Sequence, residues 1–405
     1  MDDKEFKNQQ EKGSFLKGVL FGVVLCVCTL MCVRSGIIIY KGVFLDKPDY
    51  EGKAKQIYQQ LKEHYAGEID EDKLYEGIYE GMFLETTDKY SYYIPKDAYA
   101  DFKESTAGEY VGIGIVVAID EGENVVINHI LDGSPCIEAG VQKGDMLLKI
   151  EGQDITLENY EDSVDAIKGK EGTNVHLTFY RPEQDLTYEK TIKRTHIDTP
   201  TVSSKMLEDK IGYIRISNFD GVTYDQFTKA LNGLKDQDME RLIVDVRDNP
   251  GGLLTSVTQI LDEFLDEGVI TYTEDKKGNR EYEYSKGEGY KIPMVVLTSA
   301  YSASASELFS AALKDRGYAQ TVGVTTYGKG VMQTTFPFKD GSALKMTTAK
   351  YYTPNGVCID GIGVKPDYEV EAKPNFEMPY LASAKAEIAD NDVQLEKAIE
   401  VVKNK

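Results

Sequence analysis

The chain has 405 residues, too many for one ordinary domain and enough to bury two sizeable cores. Its 46 basic and 68 acidic side chains give a net charge of -22, which disfavours nucleic acid or anionic lipid as the main partner. Of the five cysteines, Cys26, Cys28 and Cys32 share one apolar segment and Cys136 and Cys358 stand far apart, so neither a disulfide framework nor zinc-ligand spacing is present.

Residues 1–17 form a polar tail, and Gly18 to Tyr40 is then almost wholly apolar. As a helix this run would span roughly 35 Å, which predicts a single transmembrane anchor over 18–40. Arg34 near one end of it can snorkel to the interface. No A-x-A-like cleavage pattern follows, and Thr29-Leu30-Met31-Cys32 is a poor lipoprotein site, so an uncleaved anchor is favoured over a cleaved signal peptide. Lys4, Lys7, Lys12 and Lys17 before the run are balanced by Lys41, Lys47, Lys53 and Lys55 after it, so the positive-inside rule assigns no orientation.

Beyond Tyr50, Ile57, Leu61, Tyr65, Leu74, Ile78 and Met82 recur at helical spacing. They predict a helical region within 41–107 that serves as a packing platform or dimer contact, so a homo-oligomer is one expectation. From Gly108 the character changes to strands at Val111 to Ile119 and Val125 to Leu131, around the polar turn Asp120 to Asn124. Pro135 can start a short helix that Gly140 ends, and Gly144-Asp145 turns into a strand at Met146 to Ile150. A second helix fits Leu157 to Ile167, followed by strands at Val175 to Arg181 and Leu186 to Arg194. This order, over 108–195, resembles a PDZ domain. The resemblance makes Gly112-Ile113-Gly114-Ile115 the loop that receives a peptide's terminal carboxylate, beside which an extended tail adds as a strand.

After His196 the pattern becomes α/β. Ile211 to Ser217 and Leu242 to Val246 are apolar strands around an amphipathic stretch, Tyr224 to Leu234. Pro293 to Leu297 and the segment around Val322 and Val324 add further strands, and Ala343 to Tyr352 alternates in polarity. The core is expected over 196–375. The last segment, 376–405, ends in a helix with Val393, Leu395, Ala398, Ile399 and Val402 as its apolar residues.

Three elements of this core can carry chemistry. Ser304, the middle serine of Ser302-Ala-Ser-Ala-Ser306-Glu307, sits between an apolar strand and a helix predicted over Ala305 to Lys314, where free backbone N–H groups favour developing negative charge. Lys329 lies between Gly328 and Gly330 in Y-G-K-G-V-M-Q. Four histidines are present and none follows His196, so a nucleophilic serine in this half must borrow its base from far upstream or use another group, for which lysine is the obvious candidate. A lysine can act so only when neutral, which demands burial away from carboxylates. If Lys329 to Gln333 is extended, Lys329, Val331 and Gln333 share a face. The third element is L-I-V-D-V-R-D-N-P-G-G, Leu242 to Gly252, whose glycines let the main chain point an N–H into a cavity. Singly, each has a plainer structural account: a serine cap with Glu307 completing a capping box, a flexible glycine loop, a tight turn after a strand. Asp245 and Arg247 read as a structural ion pair.

Together with Y-Y-T-P-N-G-V-C-I-D-G-I-G-V-K-P-D at Tyr351 to Asp367, these motifs resemble, in order, the C-terminal processing peptidases, also called tail-specific proteases. The resemblance runs from the helical region to the last helix. It implies an α/β protease core of mixed sheet and helices, preceded by a β-rich PDZ domain with two helices. It also implies Ser304 as nucleophile, Lys329 as general base and Gln333 orienting the lysine. The oxyanion hole would use one N–H from Gly251-Gly252 and one from Ala305. Tyr301 stands where relatives often have glycine, and Asp248 fills a variable place in the turn. Arg181 or Arg194 would be the PDZ arginine that couples tail binding to activity. The expectation is a membrane-anchored serine endopeptidase that takes protein substrates by exposed C-terminal tails, without metal, nucleotide or other cofactor, with its catalytic part outside the cytoplasm. The rivals are a PDZ-based membrane scaffold with an inactive protease-like core, and a small-ester hydrolase that has no need of the PDZ domain.

Overall fold

The computed structural model describes residues 26–27, 29–34, 49–84 and 88–405. Most of the expected anchor, 18–40, lies outside the described residues, and its described part, Cys26, Val27 and Thr29 to Arg34, is helical. Among the described residues no helix is long and apolar enough to cross a membrane. The chain divides into two units, 1–75 and 76–405.

In the first unit, helix α1 (Tyr50–His64) starts at Asp49, whose carboxylate accepts the Gly52 N–H at 2.9 Å and so satisfies one of the free donors of the first turn. At its other end Lys62 pairs at 2.7 Å with Glu71, the first residue of α2 (Glu71–Leu84). The helical spacing beyond Tyr50 is thus shared by two helices. Tyr65 adopts extended backbone, φ -70° and ψ 128°, ahead of Ala66-Gly67.

The second unit begins with β1 (Tyr92–Ile94) and α3 (Lys96–Ala107), which Gly108 ends at φ 77°. Strand β2 (Glu109–Gly112) then leads into a β-rich domain. Its strands are β3 (Ile115–Ile119), β4 (Val125–Ile130), β5 (Met146–Ile150), the short β6 (Gln153–Asp154), β7 (Asn174–Arg181) and β8 (Leu186–Lys193). They pair antiparallel in the order β3-β4-β5-β7-β8, which leaves β3 at an edge. Helix α4 (Pro135–Ala139) starts on proline and ends at Gly140, φ 78°, as its sequence demands. Helix α5 (Tyr160–Asp165) is shorter than its periodicity, because Asn159 Oδ1 takes the Thr156 N–H at 2.7 Å and holds residues 156–159 in a turn. Ile113, Ile127, Leu147, Val175 and Phe179 form this domain's own core. The chain leaves through β9 (Thr195–Asp198), paired antiparallel with β2, so entry and exit form one two-stranded stem.

The remainder alternates strand and helix: β10 (Val202–Met206), β11 (Ile211–Ile216), α6 (Thr223–Lys235), β12 (Arg241–Asp245) and α7 (Leu254–Asp262). A hairpin, β13 (Gly268–Asp275) and β14 (Arg280–Ser285), precedes β15 (Met294–Thr298), α8 (Ala305–Asp315) and β16 (Ala319–Gly323). There follow β17 (Val331–Pro337), β18 (Ala343–Tyr352), β19 (Tyr368–Glu369) and α9 (Val393–Lys403). The central sheet runs β10-β11-β12-β15-β16-β19, parallel except for β10. Successive side chains face opposite layers. Ile214, Val244 and Val296 pack against α6, α7 and α8, whereas Tyr213, Ile243 and Val295 pack against α9. Burial on both faces explains why these strands are continuous apolar runs, each fully buried Leu, Ile or Phe contributing about 1.5–3 kcal/mol.

A second, antiparallel sheet joins β1, β18, β13 and β14, with β17 also paired to β18. The Asp245–Arg247 pair forms at 2.6 Å and is extended by Asp392 at 2.7 Å, where α9 begins. Burial pushes the Asp245 carboxyl up, and the adjacent Arg247 guanidinium outweighs it and holds it below the usual range.

Candidate active site

The turn between β15 and α8 bends sharply at Ser304, which has φ 54° and ψ -112°. A non-glycine residue in that region costs on the order of 1–3 kcal/mol and needs outside support. The neighbouring serines supply it. Ser302 Oγ donates to Val246 O at 2.7 Å, and Ser306 Oγ donates to Asn249 O at 2.9 Å. The Ala303 N–H reaches the same Asn249 carbonyl at 3.0 Å. The outer serines of S-A-S-A-S are therefore structural, and the central one faces a cleft of about 500 Å³ that Lys329 and Gln333 also line.

Glu307 is fully buried, and its role exceeds that of a helix cap. Its carboxylate accepts four hydrogen bonds: from Ser304 N–H at 2.8 Å, Lys329 N–H at 2.8 Å, Gly328 N–H at 2.7 Å and Thr326 Oγ at 2.5 Å. One side chain thus holds the backbone of the serine turn against the backbone of the lysine loop. The cost of burying that charge is offset by donors that all point at it.

The Lys329 ammonium lies over the Tyr90 ring, 4.5 Å from its centroid. Burial pushes it below the ordinary lysine value, Lys345 pushes the same way, and Asp88, Tyr327 and Glu307 oppose. Lys329 precedes β17, and Lys329, Val331 and Gln333 all line the cleft, while the extra residue of the bulge opposite Met332 and Gln333 is Thr348 on β18. The Gln333 amide donates to Thr347 Oγ at 3.1 Å and to Val331 O at 3.3 Å.

Gly251 and Gly252 also line the cleft, at φ 108° and 142°. The Gly251 N–H is taken by Asn249 Oδ1 at 2.8 Å, whereas the N–H groups of Gly252 and Ala305 have no partner among the described residues. A Cβ on Gly251 would sit 2.8 Å from Ser304 Cβ and 3.0 Å from Ala305 N, so the glycine turn lies against the Ser304 turn. Phe102, Asn218, Asp220 and Lys345 complete the cleft walls. Nothing local in sequence marks these four, since they come from α3, the loop after β11, and β18.

In the β-rich domain, Gly112 ends β2 and Ile115 begins the edge strand β3. Between them the N–H groups of Ile113 and Gly114 have no partner among the described residues. Gly114, at φ 75°, lies so close to Ser134 that a Cβ would meet its Cβ at 2.2 Å. The two candidate coupling arginines are occupied inside the domain. Arg181 binds Asp145 through Nε at 2.7 Å and Nη2 at 2.8 Å, and Arg194 donates to Ile167 O, Ala166 O and Asn174 O. Glu109, His196 and Asp198 bring ligand atoms within 4.8 Å of one another on the exposed β2–β9 stem, apart from the cleft-lining residues.

Residues 210–370 match peptidase family S41, and residues 101–179 match the PDZ domain. The carboxy-terminal processing protease CtpA of Bacillus subtilis is 34% identical over 335 residues, covering 82% of this chain and 72% of that protein. The carboxy-terminal processing protease CtpB of the same organism is 33% identical over 329 residues, covering 80% and 68%. A solved photosystem II D1 C-terminal processing protease aligns with a TM-score of 0.46 and 25% identity, over 82% of this chain and 88% of that one.

Proposed function

Since the chain belongs to peptidase family S41 and is a carboxy-terminal processing serine peptidase with a PDZ domain, we propose that Ser304 and Lys329 form its catalytic dyad. The supporting observation is the Glu307 carboxylate, which binds the backbone N–H of both residues at 2.8 Å in a cleft that both line. In this reading a substrate's terminal carboxylate meets the free N–H groups of Ile113 and Gly114, and the tail adds along the edge of β3. The scissile carbonyl then enters the cleft. Neutral Lys329 takes the Ser304 proton as Oγ attacks, and the oxyanion that forms is held by the N–H groups of Gly252 and Ala305. Collapse gives an acyl-enzyme and releases the amine product, protonated by Lys329. Water, deprotonated in turn by Lys329, frees the acid. Gln333, fixed by Thr347, borders the same cleft and helps place Lys329.

The test uses purified Ser304→Ala and Lys329→Ala with a tail-bearing protein substrate. Both should lose cleavage while retaining the wild-type thermal midpoint, and unchanged cleavage by either would sink the mechanism.

The apolar run Gly18 to Tyr40 supports the further proposal that the chain is a single-pass membrane protein with its catalytic part outside the cytoplasm. Protease added to intact cells should then digest the catalytic part. Its protection until lysis would contradict that orientation.

A further inference from the structure

Two lysines, Lys329 and Lys345, line the cleft beside Ser304. Among the described residues neither ammonium is in ion-pair contact with a carboxylate. Lys345 stands on β18, directly opposite Tyr92 of β1 on one side and Thr335 of β17 on the other. Aromatic groups hold it: its Nζ lies 5.1 Å from the Phe102 ring, 5.5 Å from the Tyr92 ring and 3.5 Å from the Tyr92 hydroxyl. Its ammonium thus lies over two rings on the wall of the cleft that Lys329 also lines.

The other charges around Lys329 are already engaged. Asp88 accepts the Tyr90 N–H at 2.8 Å and the Ser91 hydroxyl at 3.2 Å. Lys89 is hydrogen-bonded to the Tyr327 hydroxyl. Glu307 is saturated by its donors, and Asp220 lies on the cleft wall beside Asn218. The Tyr90 ring favours a charged Lys329 through its negative face. Burial and Lys345 act in the other sense. Lys345 is the cation among these groups that favours a neutral Lys329, because a second positive charge raises the free energy of the protonated form.

We propose that Lys345 is a positioning residue for the reaction: its ammonium, held over Phe102 and Tyr92 with no carboxylate partner among the described residues, keeps the Lys329 amine unprotonated and able to accept the Ser304 proton. This rests on Lys329 being the base. Lys345 touches neither substrate nor reacting atoms in this role.

The experiment follows covalent labelling of Ser304 by a small fluorophosphonate in the full chain as a function of pH, which reports the base without peptide binding. Wild type is compared with Lys345→Met, Lys345→Gln and Lys345→Arg, with Lys329→Ala as control. In the Met and Gln variants the acid limb should move up by about 0.5–1 pH unit, so that labelling at neutral pH falls about three- to tenfold and recovers at alkaline pH. The Arg variant should keep the wild-type limb. An unmoved limb in the Met and Gln variants, or an equal shift in the Arg variant, overturns the role of Lys345 and leaves the base reading standing. Undiminished labelling of Lys329→Ala overturns the base reading itself.

Discussion

The Glu307 carboxylate accepts the backbone N–H of Lys329 at 2.8 Å while the same oxygen, Oε2, accepts the N–H of Ser304 at 2.8 Å. The two halves of the site, separated by strand β16, therefore share one buried anchor. Glu307→Gln keeps the size of the side chain but places an NH₂ where at least one N–H must be received. The variant should lose about 1–3 kcal/mol of stability. Its kcat should fall about 10- to 100-fold with KM little changed, because the serine and lysine turns shift relative to each other while the PDZ domain is untouched. Urea unfolding and steady-state kinetics on one tailed substrate measure both. Wild-type kcat would remove Glu307 from the site's support.

The Gly251-Gly252 turn makes a second prediction, since the two positions fail a Cβ for different reasons. At Gly251, φ is 108° and a Cβ would press on Ser304 Cβ and Ala303 O, each at 2.8 Å. At Gly252, φ is 142° and a Cβ would meet Phe219 O at 2.3 Å. Either alanine displaces the turn from Ser304, and kcat should drop about 10²–10³-fold, the scale of losing one oxyanion donor. Gly133→Ala is the control for positive φ alone: its φ of 72° is in or near the left-handed region, a milder strain than at Gly251 or Gly252, and nothing lies within 4 Å of a Cβ there. It should cost modest stability and leave kcat intact. Equal kcat losses in all three variants would mean that backbone strain, not the approach to Ser304, is what matters.

The central strands are readable in the sequence because burial on both faces makes them unbroken apolar runs, as at Leu242, Ile243 and Val244. The helix after Ser304 is readable for a related reason: Leu308, Ala311 and Ala312 recur at helical spacing on its buried side. The second sheet is readable only in part, through the alternating polarity of β18 at Ala343 to Tyr352. Strand β14 reads Arg-Glu-Tyr-Glu-Tyr-Ser with all but Ser285 exposed, so no apolar alternation marks it. Helix α3 has no fully buried residue, yet its Phe102, Ser105 and Thr106 line the cleft. In the site itself, Ser304 and Lys329 stand out because glycines and serines crowd around them. Glu307 is hidden by a plausible lesser role, since a carboxylate three residues into a helix looks like a cap until the loop of Thr326, Gly328 and Lys329 folds onto it. The bulge at Thr348 of β18, opposite Met332 and Gln333, is likewise set by strand pairing, which no local pattern records.

Asp220 supplies a pH-dependent prediction. It lines the cleft at 8% exposure, and burial pushes its carboxyl up to about 6, with the Asn218 amide at 3.4 Å opposing. The folded protein therefore holds this proton to higher pH than the unfolded chain, whose value is 3.8. The stabilising effect of that proton is fully present below 3.8 and is lost as pH rises from there to about 6, where the buried carboxylate must ionise. Asp220→Asn removes the ionisation and keeps the shape. At neutral pH it should be more stable than wild type by about 1–3 kcal/mol, and the difference should vanish in acid. Thermal midpoints of both proteins across the interval from 3.8 to about 6 decide the matter. Parallel curves would show that the Asp220 charge is solvated in the folded state.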